Sequence, residues 1–158
     1  MKEEIKIYTD GAARGNPGPA GWGVVIISGS KIFEMGGRSD HATNNQMELT
    51  APTEALKYIK HNSARQDLAE KKVEVVSDSK YVILGITEWI LSWQKNNWRN
   101  AAKKPVMNRE LWEELFKLTK ELKPRWEYVK GHSGDKWNDR VDEIATSFAD
   151  NDPVELSK

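Results

Sequence analysis

Three strand-like segments joined by short turns open this chain before any helical pattern appears. The first alternates Ile5 and Ile7 with polar neighbours, and the second and third cover residues 21–28 and 31–38. Turns that contain glycine, proline and serine separate the three segments. Consecutive strands with such short connections pair antiparallel, so the sequence predicts a three-stranded antiparallel meander.

Helical and strand patterns alternate after this meander. A helix is expected from Thr43 to about Ile59, and residues 73–78 form a continuous apolar run that is typical of a strand covered on both faces. The remaining predicted elements are two short helices at 79–86 and 87–95, an amphipathic helix at 111–122, a strand at 125–130 and a final helix around 141–148. This order predicts an α/β fold with a five-stranded mixed sheet, three antiparallel strands then two parallel ones, and helices on both faces.

The chain length, the C-terminal tail and a proline inside the first helix complete the expected organisation. The 158 residues suit one domain, which we place at 1–150, followed by a tail at 151–158 that we expect to fray. Pro52 lies inside the first predicted helix, where its ring should clash with the carbonyl of Glu48. We therefore expect a kink there, or a helix that restarts near Ala51.

Charge is balanced over the whole chain but unevenly distributed. The formal net charge is +0, which argues against a polycation that coats nucleic acid. No acidic residue occurs between Glu88 and Glu110, a stretch that contains Lys95, Arg99, Lys103, Lys104 and Arg109. This stretch predicts a local basic surface, and we expect its tryptophans, Trp89, Trp93 and Trp98, to pack rather than to stack on a ligand.

The chain contains no cysteine and no apolar run that approaches the length of a membrane span. The lack of cysteine excludes disulfides, thiol catalysis and zinc sites built on thiolates. The N-terminal residues MKEEIKIYTD enter a strand pattern at once, which leaves no room for a signal peptide. We therefore expect a cytoplasmic protein without membrane contact.

Four acidic residues from distant parts of the chain stand where predicted elements start or stop: Asp10, Glu48, Asp78 and Asp142. Functional groups in such sheets gather beyond the carboxyl ends of the strands, where Asp10 and Asp78 lie. If the four converge, each pair of charges at about 4 Å repels by roughly 4 kcal/mol at an effective dielectric of about 20. Divalent cations relieve this repulsion, and oxygen ligands suit Mg²⁺. The pattern indicates metal-dependent phosphoryl chemistry, in which two metal ions act together.

Two of these residues also have a simpler interpretation. Asp78 alone could cap the helix that follows it, and Asp142, which we place in the first turn of the last helix, could complement the helix dipole. His132 lies between Gly131 and Gly134 and titrates near neutral pH, so it could activate water or assist product release. The presence of four acids in one pattern favours the metal site.

Six segments occur in a defined order: TDGAARGNPGPAGWG, TNNQMELTA, VVSDSKYV, WILSWQKNNWRNAAKKPVMNRELW, WEYVKGHSG and NDRVDEIA. Together they resemble the bacterial type 1 ribonuclease H family, from about Ile5 to about Phe148. The resemblance implies a ribonuclease H-like fold and an endonuclease that cleaves the RNA strand of RNA–DNA hybrids, leaving 5′-phosphate and 3′-hydroxyl ends. It also implies two Mg²⁺ ions per active site, for which Mn²⁺ can substitute.

The same resemblance assigns roles to individual residues. The implied metal ligands are the four carboxylates, which are also catalytic: Asp10, Glu48, Asp78 and Asp142. His132 matches the mobile histidine of the family and is implied to be catalytic without binding metal. Residues 89–108 match a basic protrusion that some family members carry beside the substrate. The implied substrate contacts are Gly11, Asn16, Thr43, Asn44 and Asn45, and on the protrusion Lys95, Arg99, Lys103, Lys104 and Asn108.

Two other functions remain open at this point: a DNA-directed nuclease of the same fold, and a non-catalytic nucleic-acid-binding module. The amide-rich segment TNNQMEL argues against the first, because an enzyme that selects RNA needs groups that sense the 2′-hydroxyl. The intact carboxylate set argues against the second, because negative charge repels phosphates. Lys80 and Trp137 depart from the family pattern near Asp78 and His132. We expect a monomer that binds an RNA–DNA hybrid duplex.

Overall fold

The computed structural model describes residues 3–62, 71–131 and 134–158. Its strands are β1 (Glu3–Ala13), β2 (Gly18–Ser28), β3 (Lys31–Ala42), β4 (Lys71–Ser77) and β5 (Arg125–Tyr128). Its helices are α1 (Asn44–His61), α2 (Lys80–Leu84), α3 (Ile90–Lys95), α4 (Arg109–Leu122) and α5 (Lys136–Ala149), with a π-helical turn (Gly85–Trp89) between α2 and α3. Within these ranges no helix has both the length and the apolar character needed to cross a bilayer.

The strands form one mixed sheet in the order β3-β2-β1-β4-β5. β2 pairs antiparallel with β1 and β3, while β4 pairs in parallel with β1 and β5. This arrangement confirms the predicted five-stranded sheet. The register pairs Thr9 with Ser77, the last residue of β4, so Asp78 emerges beside Asp10. Two of the four predicted acids are therefore neighbours where β4 ends, but Asp10 lies within β1 and not at its end, because pairing with β2 extends the strand to Ala13.

Helices cover both faces of this sheet, as predicted. On one face Ile7 of β1 joins a large buried cluster with Leu49 of α1 and Trp112 of α4. On the other face Tyr8 packs in a second cluster with Ile144 of α5. The alternation of neighbouring residues between the two clusters is the period-two pattern that identified β1 in the sequence.

Helix α1 runs without interruption through Pro52, so the expected restart near Ala51 is not found. Pro52 has no N–H, which deprives the Glu48 carbonyl of its usual intrahelical donor. The proline is itself buried, as is Ala55 in the following turn. Packing of this face holds the helix together where the backbone hydrogen bond is missing.

The helical stretch after β4 is one continuous run, whereas the sequence predicts two separate helices. Helix α2 passes directly into the π-helical turn and then into α3. Gly85 opens this turn, and a Cβ at that position would lie 2.0 Å from the indole ring of Trp112. The wider turn therefore lies where the helix backbone packs directly on this ring.

Residues 151–158 dock on the domain, so the expectation that they fray is wrong. Val154 and Leu156 pack against the cluster between the sheet and α5. The Ser157 carbonyl accepts the N–H of Glu34 in β3 at 2.8 Å. Two apolar residues and a few contacts of the tail backbone are too short a pattern to be recognised in the sequence.

Candidate active site

Three carboxylates meet at the edge of the sheet where β4 ends. Asp10 of β1, Glu48 of α1 and Asp78 each offer an oxygen, and these oxygens lie within 4.8 Å of one another. Asp10 is only 4% exposed, while Glu48 and Asp78 are half-buried. We call these three side chains the acidic centre.

Gly11 allows α1 to approach β1 closely enough to bring Glu48 to Asp10. A Cβ at position 11 would lie 2.5 Å from the Glu48 backbone nitrogen and 2.7 Å from the Cβ of Met47. Any side chain would push α1 away from the sheet, because the helix backbone cannot yield as a flexible side chain can. The Gly11 N–H also donates to Asp10 Oδ1 at 2.9 Å and orients that carboxylate.

Asp78 is not the cap of α2, although capping is the simpler interpretation of its position. Ser79 is the cap, because its hydroxyl accepts the N–H of Val82 at 3.2 Å. The hydroxyl of Ser77 accepts the N–H of Ser79 at 3.0 Å and fixes the turn between β4 and α2. The carboxylate of Asp78 is therefore not used for capping and belongs to the acidic centre.

Asp142 of α5 lies near the acidic centre but outside the group of three. Helix α5 begins at Lys136, and the Asp135 carboxylate caps it by accepting two backbone N–H groups at 3.0 Å. Asp142 is thus in the second turn, and its expected placement in the first turn, where it would complement the helix dipole, is wrong. Its negative charge nevertheless contributes to raising the pKa values of Asp10 and Glu48.

Burial and mutual repulsion oppose full ionisation of the acidic centre. Burial raises the pKa of Asp10 far above its ordinary value of 3.8, and the charges of Glu48 and Asp78 add to this effect. Burial also raises the pKa of Glu48, while its hydrogen bond with Asp10 acts in the opposite direction. The net direction is upward for both carboxyls, which favours their protonated forms.

The described residues supply no counter-charge to the most buried part of this centre. Within 3–62, 71–131 and 134–158, no lysine or arginine forms an ion pair with Asp10 or Glu48. Glu48 Oε2 is buried without a hydrogen-bond partner among them. The ammonium group of Lys80 lies 5.7 Å from the centroid of the Tyr128 ring. An unpartnered carboxylate oxygen beside two further carboxylates suits a hard divalent cation.

His132 lies outside the described residues, so its catalytic role stays a prediction from the sequence. The residue before it, Gly131, lies against the acidic centre. A Cβ at Gly131 would be 2.9 Å from Asp78 Oδ2. The loop that carries His132 therefore starts beside one of the three carboxylates.

The start of α1 brings together several of the expected substrate contacts. The Thr43 hydroxyl accepts the Gln46 N–H at 3.1 Å, and the Gln46 side chain accepts the Thr43 N–H at 2.9 Å, which completes a capping box. The Asn44 N–H donates to Asn16 Oδ1 at 3.1 Å and ties the turn before β2 to this helix. Asn44 and Asn45 are exposed to solvent. The contact between Asn16 and Asn44 therefore brings two separate segments of expected substrate contacts together.

The basic protrusion, residues 89–108, is held in shape by its own backbone. Arg99 pairs with Pro105 in a short antiparallel bridge, and the Arg99 guanidinium donates to the Lys103 carbonyl at 3.1 Å. The expected basic contacts are all exposed: Lys95, Arg99, Lys103 and Lys104. The protrusion therefore presents positive charge to solvent from an ordered segment.

Tryptophans attach this protrusion to the domain. Trp93 and Trp98 pack against the larger core cluster, which confirms the packing prediction for both residues. The ring centroids of Trp93 and Trp112 are 5.3 Å apart, and those of Trp89 and Trp93 are 6.0 Å apart. Trp89 is 38% exposed at the outer end of this row.

Two residues that the sequence reasoning missed connect α1 to the protrusion, namely Gln46 and Tyr81. Gln46 Nε2 donates to Asn108 Oδ1 at 3.4 Å, and Asn108 Nδ2 donates to the Tyr81 hydroxyl at 3.2 Å. The Trp112 indole N–H donates to the same hydroxyl at 3.0 Å. The T-x-x-Q spacing signals the capping box, but the contact with Asn108 spans 62 positions and leaves no local pattern.

Solved structures share this fold. LC9-RNase H1, described as a type 1 RNase H with the type 2 active-site motif, has a TM-score of 0.82 at 24% identity and covers 99% of this chain and 76% of its own. LC11-RNase H1 in complex with an RNA/DNA hybrid has a TM-score of 0.70 at 27% identity and covers 93% and 97%. The mixed sheet with an acidic centre at its edge defines a nuclease of the ribonuclease H-like class.

Sequence comparison makes this class more specific. The RNase H family model matches residues 2–150. A ribonuclease H of Hydrogenovibrio crunogenus is 45% identical over 148 residues, which are 94% of this chain and 97% of the relative. A ribonuclease H of Thermosynechococcus vestitus is 47% identical over 151 residues, with coverages of 95% and 91%. The chain belongs to the ribonuclease H family and is a nuclease, an enzyme of the hydrolase class.

Proposed function

We propose that this enzyme hydrolyses the RNA strand of RNA–DNA hybrids without sequence preference and leaves 5′-phosphate and 3′-hydroxyl ends. The family match over nearly the whole chain supports the reaction. The hybrid bound to LC11-RNase H1, a protein 27% identical to this chain, supports the substrate. We further propose that the enzyme acts as a monomer in the cytoplasm.

The observation that carries this proposal is the meeting of three carboxylates, of which Asp10 and Glu48 form no ion pair with a lysine or arginine of the described residues. Its three oxygens lie within 4.8 Å of one another, and Glu48 Oε2 lacks a partner among the described residues. We propose that Asp10, Glu48, Asp78 and Asp142 hold two Mg²⁺ ions, for which Mn²⁺ can substitute. Bound divalent ions at such a site activate water, neutralise the phosphate and stabilise the leaving oxygen.

In this proposal, side chains of the protein bind, release and transfer the protons. A carboxylate must be deprotonated to bind a metal ion, so metal binding by Asp10 and Glu48 would release the protons that their raised pKa values favour. His132 follows Gly131, which lies against Asp78. Because histidine is the side chain that ordinarily changes charge near neutral pH, we propose that His132 serves proton transfer during water activation or product release.

Recognition of the hybrid is assigned to two surfaces. The surface at the start of α1 offers amide, hydroxyl and backbone groups to the minor groove, where RNA displays its 2′-hydroxyls: Gly11, Asn16, Thr43, Asn44 and Asn45. The protrusion offers groups for phosphates: Lys95, Arg99, Lys103, Lys104 and Asn108. Phosphate contacts do not read sequence, so binding should be insensitive to sequence and should weaken steeply with salt.

A cleavage assay tests this proposal. A labelled RNA–DNA hybrid, double-stranded RNA and a DNA junction are each incubated with the enzyme in Mg²⁺ or in chelator. We expect cleavage of the RNA strand of the hybrid alone, and loss of that cleavage in chelator. The variant Asp78→Asn keeps the side-chain size but removes a ligand charge, so we expect it to be inactive.

Other outcomes identify the rival functions. Cleavage of the DNA junction with indifference to RNA would favour a DNA-directed nuclease of the same fold. Hybrid binding by the intact enzyme without any cleavage would favour a non-catalytic module. As a matched control, Lys103→Ala with Lys104→Ala should raise the KM for the hybrid and leave kcat unchanged, because these residues lie outside the acidic centre.

A further inference from the structure

The backbone that follows β5 is fixed against the end of β4. The Val129 N–H donates to the Ser77 carbonyl at 2.9 Å, which extends the parallel pairing beyond Tyr128. Val129 also packs in the cluster that contains Val76. These two contacts hold the segment that leads to Gly131 at a defined position beside the acidic centre.

Gly131 leaves space that the Asp78 carboxylate occupies. A Cβ at position 131 would lie 2.9 Å from Asp78 Oδ2, but 3.6 Å from its Cγ and 3.7 Å from its Cβ. Only the oxygen would be displaced, and it would have to retreat by about 0.5 Å to reach the 3.4 Å at which ordinary contacts begin. The conflict is therefore confined to one oxygen of the carboxylate that we propose as a metal ligand.

The backbone conformation of Gly131 does not itself require glycine. Its φ lies outside the left-handed region, whereas Gly134 in the same loop has φ +87°. A Cβ at Gly134 would meet no atom within 4 Å. The two glycines therefore serve different needs. Gly134 is needed for its backbone conformation, and Gly131 is needed for the space that it leaves to Asp78.

The structure assigns to Gly131 the role of a positioning residue: the absence of its side chain holds the Asp78 carboxylate where it can bind a divalent cation. The Asp78 backbone cannot relieve a clash, because Ser77 is tied to Val129 on one side and to Ser79 on the other. Mg²⁺ requires a near-ideal ligand geometry, and such constellations tolerate shifts of only about 0.5 Å. This inference rests on the proposed function in one respect, that Asp78 is a metal ligand.

Metal-dependent thermal unfolding without substrate tests the inference. The wild type, Gly131→Ala and Gly134→Ala are each melted in chelator and over a series of Mg²⁺ concentrations. For Gly131→Ala we expect an unchanged Tm in chelator, and a Mg²⁺ concentration for half-maximal stabilisation that rises by about tenfold or more. For Gly134→Ala we expect the reverse, a lower Tm in chelator and an unchanged Mg²⁺ requirement, because its cost is conformational.

A Mg²⁺ requirement of Gly131→Ala equal to that of the wild type would overturn the inference. Should Gly131→Ala lower the Tm in chelator, the double variant with Asp78→Ala decides, because it removes the displaced oxygen. Recovery of the Tm in the double variant supports the inference, and continued loss contradicts it.

The failure of this inference can be distinguished from failure of the proposed function. If Asp78→Asn abolishes cleavage while Gly131→Ala binds Mg²⁺ like the wild type, only the role of Gly131 is wrong. If Asp78→Asn cleaves the hybrid and responds to Mg²⁺ like the wild type, the assigned metal site itself is wrong.

Discussion

Glu34 and Asp10 are both buried carboxylates, with 5% and 4% exposure, yet their surroundings are opposite. The Arg140 guanidinium donates to both oxygens of Glu34, at 2.7 and 2.9 Å, and the Ser157 N–H donates to Glu34 Oε1 at 2.9 Å. The bond from Arg140 lowers the pKa of Glu34. Burial raises the pKa of Asp10, and the nearby carboxylates raise it further.

The difference distinguishes a buried carboxylate whose charge is paired within the protein from a buried carboxylate whose neighbours repel it. Glu34 has its counter-charge within the chain, so its burial is compensated. Asp10 has other carboxylates as neighbours, so its compensation has to come from a proton or from a bound cation. A buried acid that has no cationic partner among the described residues is therefore the feature that most clearly marks the site.

The largest expected effect on stability comes from removing the arginine that pairs with Glu34. Arg140→Met leaves the Glu34 charge buried without its counter-charge, so we expect the free energy of unfolding to fall by about 3–5 kcal/mol in urea titrations. Arg14→Met is the matched control, because it removes a pair with Asp150 that is 53% and 47% exposed and worth about 0.2–1 kcal/mol. Equal losses in the two variants would show that Glu34 is not compensated as described.

A smaller effect is expected from shortening the chain after Asp152. This deletion removes Val154 and Leu156 from the apolar surface beside α5 and takes one N–H donor from Glu34, while Arg140 stays in place. We expect a loss of about 2 kcal/mol in the free energy of unfolding. Deletion of Lys158 alone is the control and should have little effect. A full-length tail that adds no stability would mean that its docking is not energetically significant.

The comparison also predicts opposite dependences of stability on pH in chelator. The pKa of Glu34 is lowered, so its contribution is present above its ordinary value of 4.5 and is lost as the pH falls through the lowered pKa. The pKa of Asp10 is raised, so its contribution is fully present below 3.8 and is lost as the pH rises through the raised pKa. Each proton changes stability by at most about 1.4 kcal/mol per pH unit.

Unfolding measured across this pH range checks the assignment. Glu34→Gln should flatten the decline in stability towards acid pH, and Asp10→Asn should flatten the decline towards alkaline pH. A variant Asp10→Asn with the same alkaline decline as the wild type would show that another group causes it.

The sheet and the meeting of Asp10 with Asp78 could be predicted because both follow from local signals. Alternating residues around Ile7 identify β1, short turns pair it with its neighbours, and the apolar run before Asp78 identifies a central parallel strand. Once the two strands are adjacent, their shared register brings the two acids together.

What could not be predicted depends on contacts between distant positions. Ser157 reaches Glu34 across 123 positions, and no local pattern marks either end of that contact. The helix α5 begins at Lys136, before the expected 141, because the apolar spacing that predicts it starts at Val141, and only the bonds accepted by Asp135 identify the cap. Pro52 stays within α1 because burial outweighs the missing hydrogen bond, a balance that propensity alone does not reveal.

The central claim is that the acidic centre is destabilising by itself and is completed by a cation. Its most direct test is thermal unfolding of the wild type and Asp10→Asn, each in chelator and in saturating Mg²⁺. In chelator we expect Asp10→Asn to be more stable by about 1–3 kcal/mol, since it removes a buried, repelled carboxylate. Mg²⁺ at about one hundred times its Kd should stabilise the wild type by about 2.7 kcal/mol and the variant much less. Lower stability of Asp10→Asn in chelator, or an undiminished response to Mg²⁺, would contradict the account.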